Sequence, residues 1–175
     1  MSQDRGAGAP VYPAGVEDSA VVWLNSIVRR CTLSRLIVAV LARWLAGVEI
    51  ALMLALGVSG RRESAVRMLF GVGLVYLASD ALGWLWPRRR PFARLSEVVA
   101  LTPHTPARSF PSRHVASGLA MAAIGGRAQP RLGLAMSLVA WTLGLSRVAA
   151  GLHFPSDVLG GAALGLIVGR YAYRP

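Results

Sequence analysis

The sequence predicts an all-α fold, an integral membrane helical bundle of about five transmembrane helices preceded by an N-terminal interfacial helix. Three observations predict it. Hydrophobic residues make up 54% of the 175-residue chain, and a mean hydropathy of +0.50 suits a chain whose solvent is largely lipid. The apolar residues fall in runs of the length that crossing helices need. Short stretches rich in arginine, proline and glycine separate the runs. This length suggests one domain. Residues 1–19, with Asp4, Pro10 and Pro13, lack the charged-then-apolar order of a signal peptide and are expected as a flexible tail, leaving 20–175 as the membrane domain.

From Ala20 to about Arg43, residues such as Val21, Trp23, Leu24 and Ile27 mix with Arg29, Arg30, Arg35 and Arg43. Paired arginines in mid-segment point to a helix lying in the interface. The first crossing follows from about Trp44 to Val58 and extends back toward Leu36, because about 20 apolar residues are needed to span. Its Glu49 is read as the partner of an arginine such as Arg43. The second crossing, about Ala65 to Trp86, contains Asp80, expected to pair with an arginine of the site. Proline spacing between Pro87 and Pro111 marks a loop.

The third apolar segment, about Ser112 to Gly126, would span only about 20 Å against a hydrocarbon core of about 30 Å. Its N-terminus is therefore expected below the head groups. The fourth, about Arg131 to Ala149, carries no charge between Leu132 and Ser146. The fifth, about Pro155 to Tyr171, has Gly161, Gly165 and Gly169 on one face, a stripe for close helix packing. This alternation puts the loop after Trp86 and the loop around Gly151 on the same side of the membrane, where they can converge.

The formal net charge of +11 rests on 19 arginines and no lysine. Guanidinium groups stay protonated and grip phosphate bidentately. The arginines cluster between apolar runs, as at Arg88, Arg89 and Arg90, with no basic stripe of interleaved aromatics, so nucleic acid is not the expected partner. Anionic lipid or a phosphorylated substrate at the bilayer is. Cys31, the only cysteine, excludes an intramolecular disulfide and a cysteine-based metal cage.

Two stretches carry the chemistry. Pro111-Ser112-Arg113-His114 opens a helix whose free N–H groups attract anions, with the Ser112 hydroxyl as a further donor and His114 placed to hold or deliver a proton. Ser146 to Asp157 contains an Arg-x5-His-x3-Asp frame: Pro155 starts a helix, His153 lies just outside it, and Asp157 sits in its first turn. That carboxylate can fix the imidazole tautomer and leave the other nitrogen a better nucleophile. Arg90 and Arg147 are expected to bind the non-bridging oxygens of a phosphate under attack. His104 is read as a polar residue outside the chemistry. Histidines with an aspartate also suit zinc, but the nearby arginines would repel a cation, and neither a metal nor a cofactor is expected.

Arg90-Pro91, Pro111-Ser112-x-His114 and Ser146-Arg147-x5-His153-x3-Asp157 resemble the three signature motifs of the type 2 phosphatidic acid phosphatase (PAP2) superfamily of membrane lipid phosphatases. Within it, Arg90-Pro91-Phe92, Leu101-Thr102-Pro103-His104 and Ser109-Phe110-Pro111-Ser112 most resemble the bacterial undecaprenyl-diphosphatases of the BcrC type. The resemblance implies hydrolysis of undecaprenyl diphosphate to the monophosphate by a metal-independent phosphohistidine route, on the outward face of a bacterial plasma membrane. It implies His153 as nucleophile, Asp157 as its orienting partner, and His114 as the group that protonates the leaving oxygen and then activates water. Arg90, Ser112 and Arg147 would hold the phosphate.

Two positions depart from the family pattern. Gly83 stands where many members carry a lysine, so that ligand is missing or supplied by Arg88 or Arg89. Arg113 replaces a frequent glycine and would add a contact to a second phosphate or a head group. Because the motifs read phosphate rather than tail, phosphatidic acid, phosphatidylglycerophosphate or another polyprenyl phosphate are alternative substrates. From a different class, a non-catalytic lipid-phosphate binding or transport protein would keep the same cradle. Nothing in the pattern specifies an oligomer.

Overall fold

A computed structural model describes residues 15–172, and among them every regular element is helical. The order is α1 Val16–Arg29, α2 Thr32–Val58, α3 Arg62–Leu85, α4 Pro91–Arg94, α5 Arg113–Ala128, α6 Pro130–Ala149 and α7 Pro155–Tyr171. Of the tail expected over 1–19, residues 1–14 lie outside the described residues, whereas Gly15 is the N-cap of α1 and residues 16–19 form its first turn.

The expected interfacial segment is split at Cys31. Its first half is α1, which buries Val21, Asn25 and Val28 on one face and leaves Trp23 exposed. Its second half belongs to α2, which at 27 residues runs about 40 Å and exceeds the hydrocarbon core. Arg35, near the N-terminus of α2, can extend to the head groups, and the helix runs on unbroken through Arg43, so a charge-based boundary near Arg43 falls too late.

α2, α3 and α6 are long and apolar enough to cross a membrane, and the chain is an integral membrane protein. Their outward faces carry exposed Leu36, Ile37, Val40, Leu54, Leu69, Phe70 and Leu138. In water such a surface would be costly; in lipid it is the expected exterior. α5, with 16 residues, and α7, with 17, are shorter. α5 is the axis of the bundle, packed by α2, α3, α6 and α7. Its buried side is rich in alanine and glycine, which lets neighbouring backbones approach closely. The α7 stripe supplies the other half of that fit: a Cβ at Gly161 would lie 2.5 Å from the Ser112 carbonyl oxygen, and one at Gly169 2.7 Å from the Ala123 Cβ.

The 87–111 segment folds onto the α6–α7 turn, so the two loops expected to converge do so. The amide of Phe92 donates to the Gly151 carbonyl at 3.2 Å, that of Leu101 to Ala150 at 3.1 Å, and that of Ser112 to Asp157 at 2.9 Å. Asn25 of α1 completes the seal, donating to the Val99 and Ala149 carbonyls and accepting from the Val99 amide. These bonds fix the loops that bear the charged residues against the ends of the helices.

Candidate active site

Asp157 organises one wall. It occupies the third helical position of α7, where its Oδ2 accepts from the Phe154 amide at 2.8 Å and relieves an orphan donor. Ser109 donates to the same oxygen, and Arg88 donates to Oδ1 at 2.8 Å. The Arg88 guanidinium also reaches Ser156 Oγ and Glu17 and lies 4.1 Å from the Phe154 ring centroid. Arg88, discussed above as a replacement phosphate ligand, is thus engaged in holding Asp157.

His153 stands between Asp157 and Arg90. Its Nδ1 is 3.6 Å from Asp157 Oδ2, an ion-pair separation longer than a hydrogen bond, and its Nε2 is 3.1 Å from Arg90 Nη1. An arginine can only donate. The contact therefore assigns a lone pair to Nε2 and the proton to Nδ1, facing the carboxylate. Burial is the largest influence on the imidazole and, with Arg147 and Arg90, outweighs the carboxylate, pushing its pKa down to about 4. The ring is neutral at physiological pH, with its lone pair on the arginine side.

Arg90 is buried, donates from Nη1 to the Leu152 carbonyl at 2.8 Å, and keeps a buried Nε without a partner. Burial lowers its pKa to about 10, so it stays charged. Arg147, at the C-terminal turn of α6, donates to the Ala42 carbonyl at 3.0 Å and likewise has an unpartnered buried Nε. The buried Ser112 hydroxyl, at the N-cap of α5, is a third donor with no partner. Buried donors left unpaired are costly, so these three await an acceptor. Pro111 lies just outside α5 rather than in its first turn, because Ser112 takes the cap.

These groups meet. Arg90, Arg147, His153, His114, Arg113, His104, Arg108 and Pro111 line one cleft. Ser112 adjoins it through Pro111 and Arg113. Arg113 pairs with Asp80 at 3.2 Å, the arginine partner expected for that aspartate. Arg89 is exposed and lines a neighbouring hollow with Trp84 and Pro87, away from the cleft.

Three features were not read from the sequence. His104 faces the cleft, accepting from Arg147 Nη2 at 2.7 Å while its Nδ1 lies 2.7 Å from the Pro103 carbonyl. Burial and then Arg147 push its pKa below the usual histidine range. Ser109 bonds Asp157 across 48 residues. Glu49 differs from expectation: it is 1% exposed, its Oε1 has no partner, and among the described residues no arginine pairs with it. Its carboxyl instead fills the space over Gly118, where a Cβ would collide with it.

A buried imidazole with an oriented lone pair, a second histidine lining the same cleft and two buried arginine Nε donors without partners make up a histidine- and arginine-lined site in a helical membrane protein. The chain belongs to the PAP2 superfamily, whose model matches residues 64–174. It is 28% identical over 127 residues to undecaprenyl-diphosphatase BcrC of Bacillus subtilis strain 168, covering 70% of this chain and 65% of that protein. It is 34% identical over 122 residues to the decaprenylphosphoryl-5-phosphoribose phosphatase of Mycobacterium tuberculosis strain H37Rv, covering 69% of this chain and 66% of that one. The chain therefore spans slightly under two thirds of the length of these relatives. In fold it is similar to the crystal structure of Aquifex aeolicus LpxE, with a TM-score of 0.77 at 24% identity over 93% of this chain and 96% of that one.

Proposed function

We propose that the protein is a phosphatase of membrane lipid phosphates that hydrolyses a polyprenyl diphosphate, with undecaprenyl diphosphate as the preferred substrate. The observation that carries the reading is His153, held between Asp157 at Nδ1 and Arg90 at Nε2 in a cleft shared with Arg147 and His114. The relatives named for undecaprenyl diphosphate and a decaprenylphosphoryl phosphoribose support a substrate with a polyprenyl tail.

In the first step the Nε2 lone pair attacks the terminal phosphorus. A P–N bond forms, the bond to the bridging oxygen breaks, and His114 gives its proton to that oxygen. Arg90, Arg147 and Ser112 hold the three non-bridging oxygens, each such ligand lowering the barrier by about 3 kcal/mol, as oxyanion donors do elsewhere. Asp157 balances the charge that His153 acquires. In the second step His114 takes a proton from water, water oxygen attacks phosphorus, and the P–N bond breaks to release inorganic phosphate. Arg113 sits beside this set, and Arg89 belongs to the approach rather than to the bound phosphate. The arginine walls disfavour a resident cation, so turnover proceeds in excess chelator.

We assign α2, α3, α5, α6 and α7 as the five crossings and place the cleft on the extracytoplasmic face of a bacterial plasma membrane. Offering purified protein in detergent a panel of polyprenyl diphosphate, polyprenyl monophosphate, phosphatidic acid and phosphatidylglycerophosphate tests the substrate. Fastest phosphate release from the polyprenyl diphosphate is expected; preference for phosphatidic acid would overturn the assignment.

A further inference from the structure

The arginines that line the cleft fall into two tiers. Arg90 and Arg147 are buried at its floor. Arg113 and Arg108 stand nearer solvent, and of these Arg113 is committed to Asp80. Arg108 is different: among the described residues no carboxylate pairs with it, although Arg88, Arg94 and Arg113 each have one.

Arg108 is also held in an uncommon backbone conformation. Its φ of 56° places a residue with a Cβ in the left-handed region. The turn is fixed from the next residue, where the Ser109 amide donates to the Arg88 carbonyl at 2.9 Å and the Ser109 hydroxyl donates to Asp157. The same contacts that hold the His153 support therefore set where Arg108 points. Its stem lies on α3 against Gly83, where even a Cβ would sit 3.7 Å from Arg108 Cδ, and its guanidinium is 5.3 Å from the Trp84 ring centroid. A strained turn that presents an unpaired cation to a phosphate cleft is a feature to be explained by function.

Arg108 is also shared between two spaces. One is the cleft with His153; the other is the hollow walled by Gly83, Trp84, Pro87 and Ala107. Trp84 walls that hollow and, with its chain neighbours Leu85 and Trp86, is strongly exposed in a membrane-embedded chain. An amphiphile with its terminal phosphate on Arg90 and Arg147 and its chain leaving past Trp84 would pass its inner phosphate under Arg108.

We propose that Arg108 binds the chain-proximal phosphate of a lipid diphosphate and sets the preference for a diphosphate over a monophosphate headgroup. This rests on the lipid-phosphatase reading above, since it places the terminal phosphate at His153. A monophosphate uses only the floor arginines, whereas a diphosphate engages both tiers.

The test is equilibrium binding of methylenediphosphonate, a non-hydrolysable diphosphate, and of methylphosphonate to the purified protein in detergent. In the wild type the diphosphonate is expected to bind at least tenfold more tightly. Arg108→Ala should remove that advantage while leaving methylphosphonate affinity within twofold, and Arg108→Lys should keep part of it. The unchanged methylphosphonate affinity reports that the variant is folded. Equal weakening of both probes, an intact diphosphonate preference in Arg108→Ala, or no preference in the wild type would each overturn the proposal. Absence of phosphate release from every lipid in the panel would instead sink the phosphatase reading, because the phosphonate titration needs no turnover.

Discussion

The Nδ1 of His153 lies 3.6 Å from Oδ2 of Asp157, while that same oxygen accepts hydrogen bonds from the Phe154 amide and the Ser109 hydroxyl. The carboxylate is thus anchored by the helix start and the facing loop before it acts on the imidazole. It caps α7 and, in the proposed mechanism, supplies the charge behind the nucleophile.

Substitutions separate those roles. Asp157→Asn keeps one oxygen for Phe154 and Ser109 but removes the charge and turns an amide nitrogen toward Arg88, so kcat is expected to fall on the order of 100-fold or more, with a loss of thermal stability smaller than that of the alanine variant. Asp157→Ala also abandons the amide, the hydroxyl and Arg88, and should destabilise the protein by about 2–4 kcal/mol. Phosphate release and thermal unfolding in detergent read the two effects; an Asn variant with near-normal kcat would contradict the electrostatic role.

Stability should depend on pH through His153. Its pKa is 6.5 as an unperturbed group and about 4 when folded, burial being the main cause. The unfolded chain therefore binds more protons between these values, and stability is present above pH 6.5 and lost as pH falls toward 4. Thermal unfolding of wild type and His153→Asn across that range checks this: the variant should show the shallower acid loss. In catalysis, the neutral nucleophile should persist well below neutral pH.

Arg147 joins α2 to the cleft, donating to the Ala42 carbonyl while its Nη2 meets His104 and its Nε stays unpaired. Arg147→Ala should lower kcat/KM about 100-fold, the loss expected of one oxyanion donor. Lysine offers a point charge without the planar fork, so Arg147→Lys should recover only a small part. Full recovery would show that charge alone matters there.

Glu49 and Gly118 make a pair that can be tested without turnover. Because a Cβ at Gly118 would meet the Glu49 carboxyl, Gly118→Ala is expected to destabilise by about 1–3 kcal/mol. Combining it with Glu49→Ala should recover much of that loss, a coupling that a double-mutant cycle isolates. Additive losses would place the obstruction elsewhere.

The helices from Ala65 onward were legible because each is an apolar run, with Pro87 just past the end of α3, Pro111 just before α5, and Pro130 and Pro155 opening α6 and α7. Pro155 marks the start of α7 and so leaves His153 outside it with Asp157 one turn in. Asp80 likewise meets Arg113, as a carboxylate near arginines would. What was not legible depends on tertiary approach. Ser109 and Arg88 reach Asp157 from 48 and 69 residues away, with no local pattern to announce them. An isolated carboxyl in a crossing suggests an arginine partner for Glu49; the structure packs it against Gly118 instead, a fit of volume that no spacing rule contains. His104 sits in a loop whose path is set by its bonds to the α6–α7 turn.

Trapping the covalent intermediate tests the central claim most directly. Rapid quenching of turnover on a polyprenyl diphosphate labelled in its terminal phosphate should show transient label on His153, acid-labile and base-stable as a P–N bond is, and absent from His153→Ala together with phosphate release. Phosphate release that persists in His153→Ala, with no label on the histidine of the wild type, would contradict it.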